Sequence, residues 1–300
     1  MKYKNVLITG KTGTVGRNLN FGIGFSSKLY DLTLSDDANQ LVETIKPDAI
    51  VHCAAKVGGL HLHLTEKYRL YYNNLMINTN LIDAAKEHNV KRVLSYLSSC
   101  IFSDISKSPY NESMIHDGQP FPVHYPYGHA KRMLEVQSRI CYEEFGLIYN
   151  CIVPTNIYGY HDNFNEDTGH VIAGLIHRAY CAAKEGKDFV VWGDGNQQRD
   201  FIFSEDIAKL TEWALNDYHE KEPLIFSNST PIRIGDIAEM IAKKFNTKVV
   251  FDTSKPSGQK VRLLDGSKLK DLTHFKFTPI EEGIDKTCEW FIKNYPNVRL

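Results

Sequence analysis

Short apolar runs alternate with longer amphipathic segments along the first half of the chain. The runs lie at residues 5–9, 49–55, 91–97 and 149–154, and the segments between them include residues 37–45, 68–89 and a stretch that begins after Pro126. Continuous apolar runs of this length are typical of strands buried on both faces, whereas an apolar stripe at every third or fourth position is typical of a surface helix. The alternation predicts an α/β fold with a Rossmann-like, doubly wound parallel sheet.

The pattern changes after residue 160, where polar loops separate shorter elements. Residues 171–183 predict a helix, residues 189–192 and 248–251 predict strands, and another helix opens near Pro231. We therefore expect a smaller mixed α/β C-terminal lobe. The predicted division is a first domain at residues 1–160, to which the chain returns at 195–220, and a smaller lobe at 161–194 and 221–300.

A glycine-rich turn follows the first predicted strand at once. Gly10, Gly13 and Gly16 have the spacing G-x-x-G-x-x-G, with a strand before them and a helix after them. In that context, glycines permit a tight turn and a close approach of the backbone to a pyrophosphate, and the next helix offers free N–H groups. The turn predicts a dinucleotide site, with a glycine turn that binds no ligand as the alternative.

The segment at residues 21–37 is short and broken by glycines. A dinucleotide fold usually has a second strand here, and an acidic residue roughly 20 residues after the turn binds the adenosine ribose. No acidic residue stands at a predicted strand end. Ser26, Ser27 and Lys28, with Lys11, have the polarity to bind a 2′-phosphate, but the same residues are typical of a solvated loop, and both interpretations stay open.

Tyr127 and Lys131 are four residues apart on the helix predicted after Pro126, so they share one face. An ammonium beside a phenol favours the phenolate, which makes proton transfer to and from the tyrosine easier. Ser98 and Cys100 follow a predicted strand at its carboxyl end, where open α/β sheets bind ligands. These four residues predict a site that reduces a carbonyl group. The alternatives are an exposed helix pair and a buried structural cysteine.

Composition excludes several classes of function. The formal net charge is -1, and the lysines and arginines are scattered, so no basic field would attract nucleic acid or an anionic membrane. No stretch approaches the length of a transmembrane helix, and the N-terminus shows no signal-peptide pattern. The 6 cysteines have neither C-x-x-C nor zinc-ligand spacing. We therefore expect a cytoplasmic protein with reduced thiols and no metal site.

With these residues assembled, the sequence resembles the extended short-chain dehydrogenase/reductase family. The glycine turn, Ser98 and the Tyr127-x-x-x-Lys131 pair occur in the family's order. Within the family, the sequence is most similar to the branch that epimerises and reduces GDP-4-keto-6-deoxy sugars. The matching stretches are residues 54–59, 98–101, 154–159, 161–164, 170–172, 190–193 and 254–258. They are spread over most of the chain, which makes the resemblance far more specific than the glycine turn alone.

The resemblance implies NADPH-dependent reduction at C4 of a GDP-4-keto-6-deoxy sugar, with epimerisation at C3 and C5. Cys100 and His170 match the family's acid/base pair for the two epimerisations. In the reduction, Tyr127 would protonate the C4 oxygen. Lys131 would lower the pKa of Tyr127 and bind the nicotinamide ribose, and Ser98 would bind the sugar oxygen. The implied catalytic residues are Ser98, Cys100, Tyr127, Lys131 and His170.

The resemblance also implies two sets of binding residues. The cofactor would contact Gly10, Thr12, Gly13, Thr14, Val15, Gly16, Ala54, Ala55, Tyr127, Lys131, Pro154, Asn156 and His170. The substrate, in the smaller lobe, would contact Asn156, Arg178, Trp192, Arg199 and Arg262. No metal ligand is implied, and family members often form homodimers through the Tyr-x-x-x-Lys helix and the long helix before it.

Several departures keep alternatives open. Thr12 stands where relatives have an arginine for the 2′-phosphate, so NADPH is favoured without excluding NADH. Arg262 stands near a lysine of the relatives, and the two are not equivalent. The pocket would also suit a GDP-linked heptose. The alternative functions are a C4-reductase that acts on a sugar epimerised elsewhere, and a non-catalytic nucleotide-sugar-binding protein.

Overall fold

The fold is described from a computed structural model. It describes residues 1–103, 105–166, 168–255 and 259–300, apart from the side chains of residues 60 and 61. Residues 256–258, in the last stretch that carries the family resemblance, lie outside the described residues.

Helices and strands alternate along most of the chain. In order, they are β1 (Val6–Thr9), α1 (Thr14–Asn18), α2 (Ser35–Ile45), β2 (Ala49–His52), α3 (Leu60–Thr65), α4 (Lys67–Glu87), β3 (Arg92–Tyr96), α5 (Tyr125–Phe145), β4 (Ile148–Pro154), β5 (Asn156–Tyr158), α6 (Val171–Glu185), β6 (Phe189–Trp192), β7 (Gln198–Arg199), β8 (Phe201–Phe203), α7 (Ser204–Asp217), β9 (Leu224–Phe226), β10 (Ile232–Arg233), α8 (Ile234–Phe245), β11 (Val249–Asp252), β12 (Val261–Arg262), α9 (Ser267–Thr273) and α10 (Ile280–Asn294). Short 3₁₀ turns lie at Ser99–Ile101 and Glu112–Met114.

The central sheet has five parallel strands in the order β1-β2-β3-β4-β9. Its strands are buried on both faces. Helices α2, α4 and α5 cover one face of the sheet. Helix α7 covers the other face, together with side chains that include Leu19 and Leu269. Because every strand contributes apolar side chains to both faces, helices must cover both, which gives the doubly wound arrangement. The predicted fold class is confirmed.

The expected second strand of a dinucleotide fold is reduced to a single bridge. Ile23 pairs with Leu7 in parallel: the amide of Ile8 donates to the carbonyl of Ile23 (2.7 Å), and the amide of Ile23 donates to the carbonyl of Val6 (2.9 Å). These groups of β1 point away from β2, because alternate residues of a strand bond to opposite sides. The connection after β1 therefore leads to one side of β1, and the next connection leads to β2 on its other side. In an open α/β sheet, the point where the connections diverge in this way forms a crevice that binds a ligand.

Element boundaries differ from the predictions in a few places. The strand predicted at 49–55 ends at His52, since the chain leaves the sheet there. The helix predicted at 68–89 spans Lys67–Glu87, and the short helix α3 precedes it without having been predicted. The two C-terminal helices, α9 and α10, were also not predicted.

A second core lies in the C-terminal half. Side chains of α6, α8 and α10 pack around β6, which pairs in parallel with β11. Between these elements the chain returns to the central sheet: Ile202, Ile207 and Leu215 belong to the core on one face of that sheet. β9 completes the same sheet, although its residues fall in the range that we assigned to the smaller lobe. The domain boundaries stay a prediction, and this pairing extends the return beyond residue 220.

Candidate active site

A large cavity lies where β1 to β4 end and the smaller lobe begins. Its volume is about 1640 Å³. Pockets for one drug-sized ligand usually measure about 300–1,000 Å³. The cavity therefore has room for two extended ligands side by side. Every catalytic, cofactor-binding and substrate-binding residue that the family resemblance implied lines it, whereas Lys11, Ser26 and Lys28 do not.

The glycine turn forms one wall of the cavity. The amide of Gly13 donates to the carbonyl of Gly10 (2.9 Å), and Gly10 has a φ of +70°. A Cβ on Gly16 would lie 2.4 Å from the carbonyl oxygen of Gly10. Only glycine permits this contact of backbone with backbone. The outer side of the turn, with Thr12 and Val15, is left facing the cavity, so the residues present fit a dinucleotide.

Lys11 does not point into this wall. Its Nζ donates to the carbonyl oxygens of Leu19 (2.6 Å) and Phe21 (3.2 Å) and thereby holds the short segment against the glycine turn. The hypothesis that Lys11 helps to bind a 2′-phosphate is not supported by these contacts. Lys28 is exposed, and its amide donates to the hydroxyl of Ser26 (3.2 Å), which is the geometry of a small turn.

Two further side chains from the segment at residues 21–37 are relevant to the choice between NADPH and NADH. Ser27 and Asp31 both line the cavity. The carboxylate of Asp31 accepts hydrogen bonds from the amide (3.0 Å) and the hydroxyl (2.8 Å) of Thr33. Sequence reasoning missed Asp31 because no regular strand precedes it. The cavity thus has an acidic residue from the segment in which no acidic residue stood at a predicted strand end.

Tyr127 and Lys131 lie on the buried face of α5. They are 5% and 2% exposed, and Lys131 Nζ donates to the carbonyl oxygen of Tyr96 (2.7 Å). Burial raises the pKa of Tyr127 and Cys100 raises it further, whereas a hydrogen bond with Ser98 lowers it. Burial also lowers the pKa of Lys131 to about 8. We expected Lys131 to lower the pKa of Tyr127, but burial outweighs such an effect, so the phenol is held protonated.

Ser98 and Cys100 are arranged by the end of β3. The hydroxyl of Ser98 accepts a hydrogen bond from the amide of Cys100 (3.2 Å) and caps the 3₁₀ turn that follows. Arg262 Nη1 donates to Cys100 Sγ (3.8 Å), and its Nη2 donates to the amide oxygen of Asn156 (3.5 Å). The thiol therefore has a cationic partner in the cavity, which a buried structural cysteine would lack.

His170 has a carboxylate partner that the sequence did not predict. Its Nδ1 lies 3.1 Å from Oδ1 of Asp162, and Asp162 is fully buried. Burial opposes the charged imidazole, but the charge of Asp162 and its hydrogen bond outweigh it and raise the pKa of His170. The same oxygen accepts from the hydroxyl of Thr14 (3.2 Å) in the glycine turn. The only available signal was that Asp162 lies in the matching stretch at 161–164.

Two arginines stand side by side on the substrate side. Parallel pairing of β12 with β7 puts Arg262 opposite Arg199. Arg199 donates to the carbonyls of Gln198 and Gln259 (both 2.6 Å). Burial, and then repulsion from Arg262, lowers the pKa of Arg199 to about 10. An anion in the cavity would relieve this repulsion.

An aromatic side chain borders the same region of the cavity. The guanidinium of Arg178 lies over the ring of Trp192, 5.6 Å from its centroid, and Trp192 is 50% exposed. A half-exposed tryptophan beside a cation offers a flat surface on which a planar ring is able to stack. The predicted substrate residues are thus brought together.

Three potential metal ligands also approach one another at the cavity edge. Glu166, His177 and Cys181 have ligand atoms within 4.8 Å of each other. His177 Nδ1 is 3.0 Å from the carbonyl oxygen of Phe164, so one of its nitrogens already has a partner. The expectation that the protein has no metal site stays a prediction.

Residues 26–227 match the model of the NAD dependent epimerase/dehydratase family. The chain belongs to this family. The predicted family resemblance is therefore confirmed. None of the described helices is both long and apolar enough to cross a membrane.

Relatives within the family cover nearly the whole chain. The GDP-L-fucose synthase of Dictyostelium discoideum is 40% identical over 99% of this chain and 98% of its own length. The GDP-L-fucose synthase of Escherichia coli (strain K12) is 34% identical over 84% of this chain and 82% of its own length. The crystal structure of a GDP-L-fucose synthetase from Naegleria fowleri bound to NADP is 32% identical, with a TM-score of 0.92 over 100% of this chain and 99% of that one.

Proposed function

We propose that the protein is an NADPH-dependent oxidoreductase that epimerises a GDP-4-keto-6-deoxy sugar at C3 and C5 and reduces it at C4, as a GDP-L-fucose synthase does. The main observation is that one cavity contains a protonated buried phenol at Tyr127, the acid/base pair Cys100 and His170, and the adjacent cations Arg199 and Arg262. Full-length relatives of that name support the proposal.

In the reduction, NADPH supplies a hydride to C4 of the sugar when it is bound. Tyr127 protonates the C4 oxygen, since its raised pKa keeps it in the acid form. Ser98, which lines the same cavity, binds the same oxygen as negative charge develops on it. Lys131, anchored on the carbonyl of Tyr96, holds the nicotinamide ribose.

In the epimerisation, Cys100 and His170 exchange protons with C3 and C5. These protons are acidic because the enolate that forms spreads its charge onto the ketone oxygen. Arg262 donates to the sulfur of Cys100, so the charge left when the thiol loses its proton has a partner. Asp162 favours the protonated form of His170, which supplies the acid.

The nucleotide part of the substrate would bind at the side of the cavity that contains Arg199 and Arg262. A diphosphate would give Arg199 and Arg262 an anionic partner, and bidentate arginine–phosphate bonds are strong. Arg178 and Trp192 offer the flat, cationic surface for the base. Asn156 lines the same cavity, accepts a hydrogen bond from Arg262, and would be able to bind either the cofactor or the sugar nucleotide.

NADPH is our choice of cofactor because a full-length relative binds NADP. Asp31 also lines the cavity, and a carboxylate close to the adenosine ribose would favour a free 2′-hydroxyl over a phosphate. Steady-state kinetics with both cofactors tests the choice of NADPH. A higher kcat/KM with NADH would contradict the choice, and Asp31→Asn would then shift the preference toward NADPH.

One experiment separates the proposed function from its alternatives. GDP-4-keto-6-deoxymannose is incubated in D₂O without NADPH, deuterium at C3 and C5 is measured by NMR, and NADPH oxidation is then followed after addition of the cofactor. The proposal expects both exchange and oxidation. Oxidation only with a sugar epimerised beforehand would indicate a C4-reductase, and binding without either reaction would indicate a binding protein. A GDP-4-keto-heptose tested in parallel identifies the preferred sugar.

We also propose a cytoplasmic homodimer. Apolar side chains are exposed along α4 and α5, among them Tyr68 (76%), Tyr72 (45%) and Ile140 (43%). A second copy would cover such a surface, since contiguous exposed apolar patches mark interaction sites. Light scattering after size exclusion would give twice the chain mass; a monomer would contradict the proposal.

A further inference from the structure

Two histidines that no step above uses lie beside Tyr127 in the cavity wall. The ring of His63, on α3, packs edge to face on Tyr127 at 5.4 Å and on His124 at 4.5 Å between centroids. His63 is only 6% exposed. Within the described part of the chain, the Nδ1 atoms of both rings are buried and have no hydrogen-bond partner. Both residues line the cavity beside Tyr127. Buried polar atoms are rarely left unpaired, so this part of the wall keeps hydrogen-bonding capacity that no other group of the described chain uses.

Both rings are neutral near pH 7. Burial, and then the charges of Arg262 and His170, lower the pKa of His63 to about 4. Burial also lowers the pKa of His124 far below its usual value, with contributions from Arg262, His63 and Arg199. A neutral imidazole donates from one nitrogen and accepts at the other. This combination suits a hydroxyl group, which both donates and accepts, rather than a phosphate or a carboxylate.

We propose that His63 and His124 recognise the hydroxyl group at C3 of the sugar, the carbon next to the ketone. This inference rests on the proposed function. A GDP-4-keto-6-deoxy hexose has a ketone at C4 and a methyl group at C6, so its ring keeps hydroxyl groups only at C2 and C3. Tyr127 acts on the C4 oxygen, and His63 packs directly on Tyr127. Of the two hydroxyl groups, the one at C3 is adjacent to that oxygen.

The consequence is selectivity between a sugar that carries this hydroxyl and one that lacks it. A site that hydrogen-bonds a hydroxyl rejects the deoxy analogue, because its own buried polar atoms are then left unpaired. For one neutral hydroxyl we expect wild-type kcat/KM for C4 reduction to fall roughly 10- to 100-fold on a 3-deoxy analogue. A 2-deoxy analogue should lose less than about threefold.

The test combines protein variants with substrate analogues. His63→Leu keeps the apolar contact with Tyr127 but removes both ring nitrogens. We expect it to be slow with the parent sugar and to lose clearly less than wild type does on the 3-deoxy analogue, because one of the two histidines that bind this hydroxyl is already gone. His63→Asn puts an amide near the position of Nδ1 and should restore most of the selectivity, which a purely structural role would not explain.

His129→Leu is the matched control, since His129 lies on α5 outside the cavity lining. It should keep the wild-type selectivity. The inference is wrong if His63→Leu retains the full 3-deoxy penalty, or if its loss of selectivity concerns the 2-deoxy analogue. A wild-type protein that does not reduce the parent sugar at all would instead contradict the proposed function, so the two failures are distinguishable.

Discussion

Replacing Tyr127 with phenylalanine removes the proposed proton donor while disturbing little else. The ring is 5% exposed and keeps its contact with His63. A neutral hydrogen bond contributes about 0.5–1.5 kcal/mol to stability. Loss of a general acid costs about 10²- to 10⁴-fold in rate, which corresponds to roughly 3–5 kcal/mol in the barrier. The effect on catalysis should therefore be much larger than the effect on stability.

The assay measures the two half-reactions separately in Tyr127→Phe. We expect C4 reduction to fall by at least about 100-fold. Deuterium incorporation at C3 and C5 should stay within a few-fold of wild type, because Cys100 and His170 are untouched. Urea denaturation should show a loss of no more than about 1.5 kcal/mol in the free energy of unfolding.

Tyr149→Phe is the matched control. Tyr149 is a fully buried tyrosine outside the cavity lining, and its hydroxyl donates to the carbonyl of Val90 (2.8 Å). It should lose a similar amount of stability and keep both half-reactions. Equal losses of exchange and reduction in Tyr127→Phe would refute the separation of roles, as would full reduction without the hydroxyl.

Three further predictions concern the surroundings of the site. Asp162→Asn removes the charge that raises the pKa of His170. In a pH profile of the deuterium exchange, the limb that reports the titration of His170 should therefore move to lower pH. An unchanged limb would contradict the pairing of His170 with Asp162. Gly16→Ala should weaken NADPH binding in calorimetry and cost about 1–3 kcal/mol of stability, because its Cβ would lie 2.4 Å from the carbonyl oxygen of Gly10; normal binding would argue against close backbone packing. Arg92→Met leaves several buried carbonyl groups without a donor and should lower the free energy of unfolding by at least about 3 kcal/mol in urea, without changing KM. A loss below about 1 kcal/mol would show that those carbonyls find other partners.

Local patterns account for the parts of the protein that the sequence predicted well. The buried parallel strands follow from runs of apolar residues, and the shared face of Tyr127 and Lys131 follows from the helical repeat. The tight turn at Gly10 follows from glycine chemistry. Each of these features needs only neighbouring residues, and strand ends in a doubly wound sheet all meet at one edge. Ser98 and Cys100 could therefore be placed beside the glycine turn.

Contacts between distant segments could not be predicted in this way. Asp162 joins Thr14 to His170 through a loop whose path depends on the packing of the smaller lobe. Lys11 bonds to nearby carbonyls because the segment after α1 is too short to form a strand. Burial, which is a property of the whole fold, also reverses the expected pKa shift of Tyr127.

The sequence by itself determined the α/β sheet, the dinucleotide turn and the reactive pair on α5, because each depends on a local period or on one residue's backbone freedom. Only the tertiary structure decided which side chains surround that pair. Arg262 meets Arg199 through the register of β12 and β7, and His63 meets His124 where α3 approaches the start of α5. These contacts depend on the packing of elements that are far apart in the chain, and a local sequence pattern carries no information about that packing.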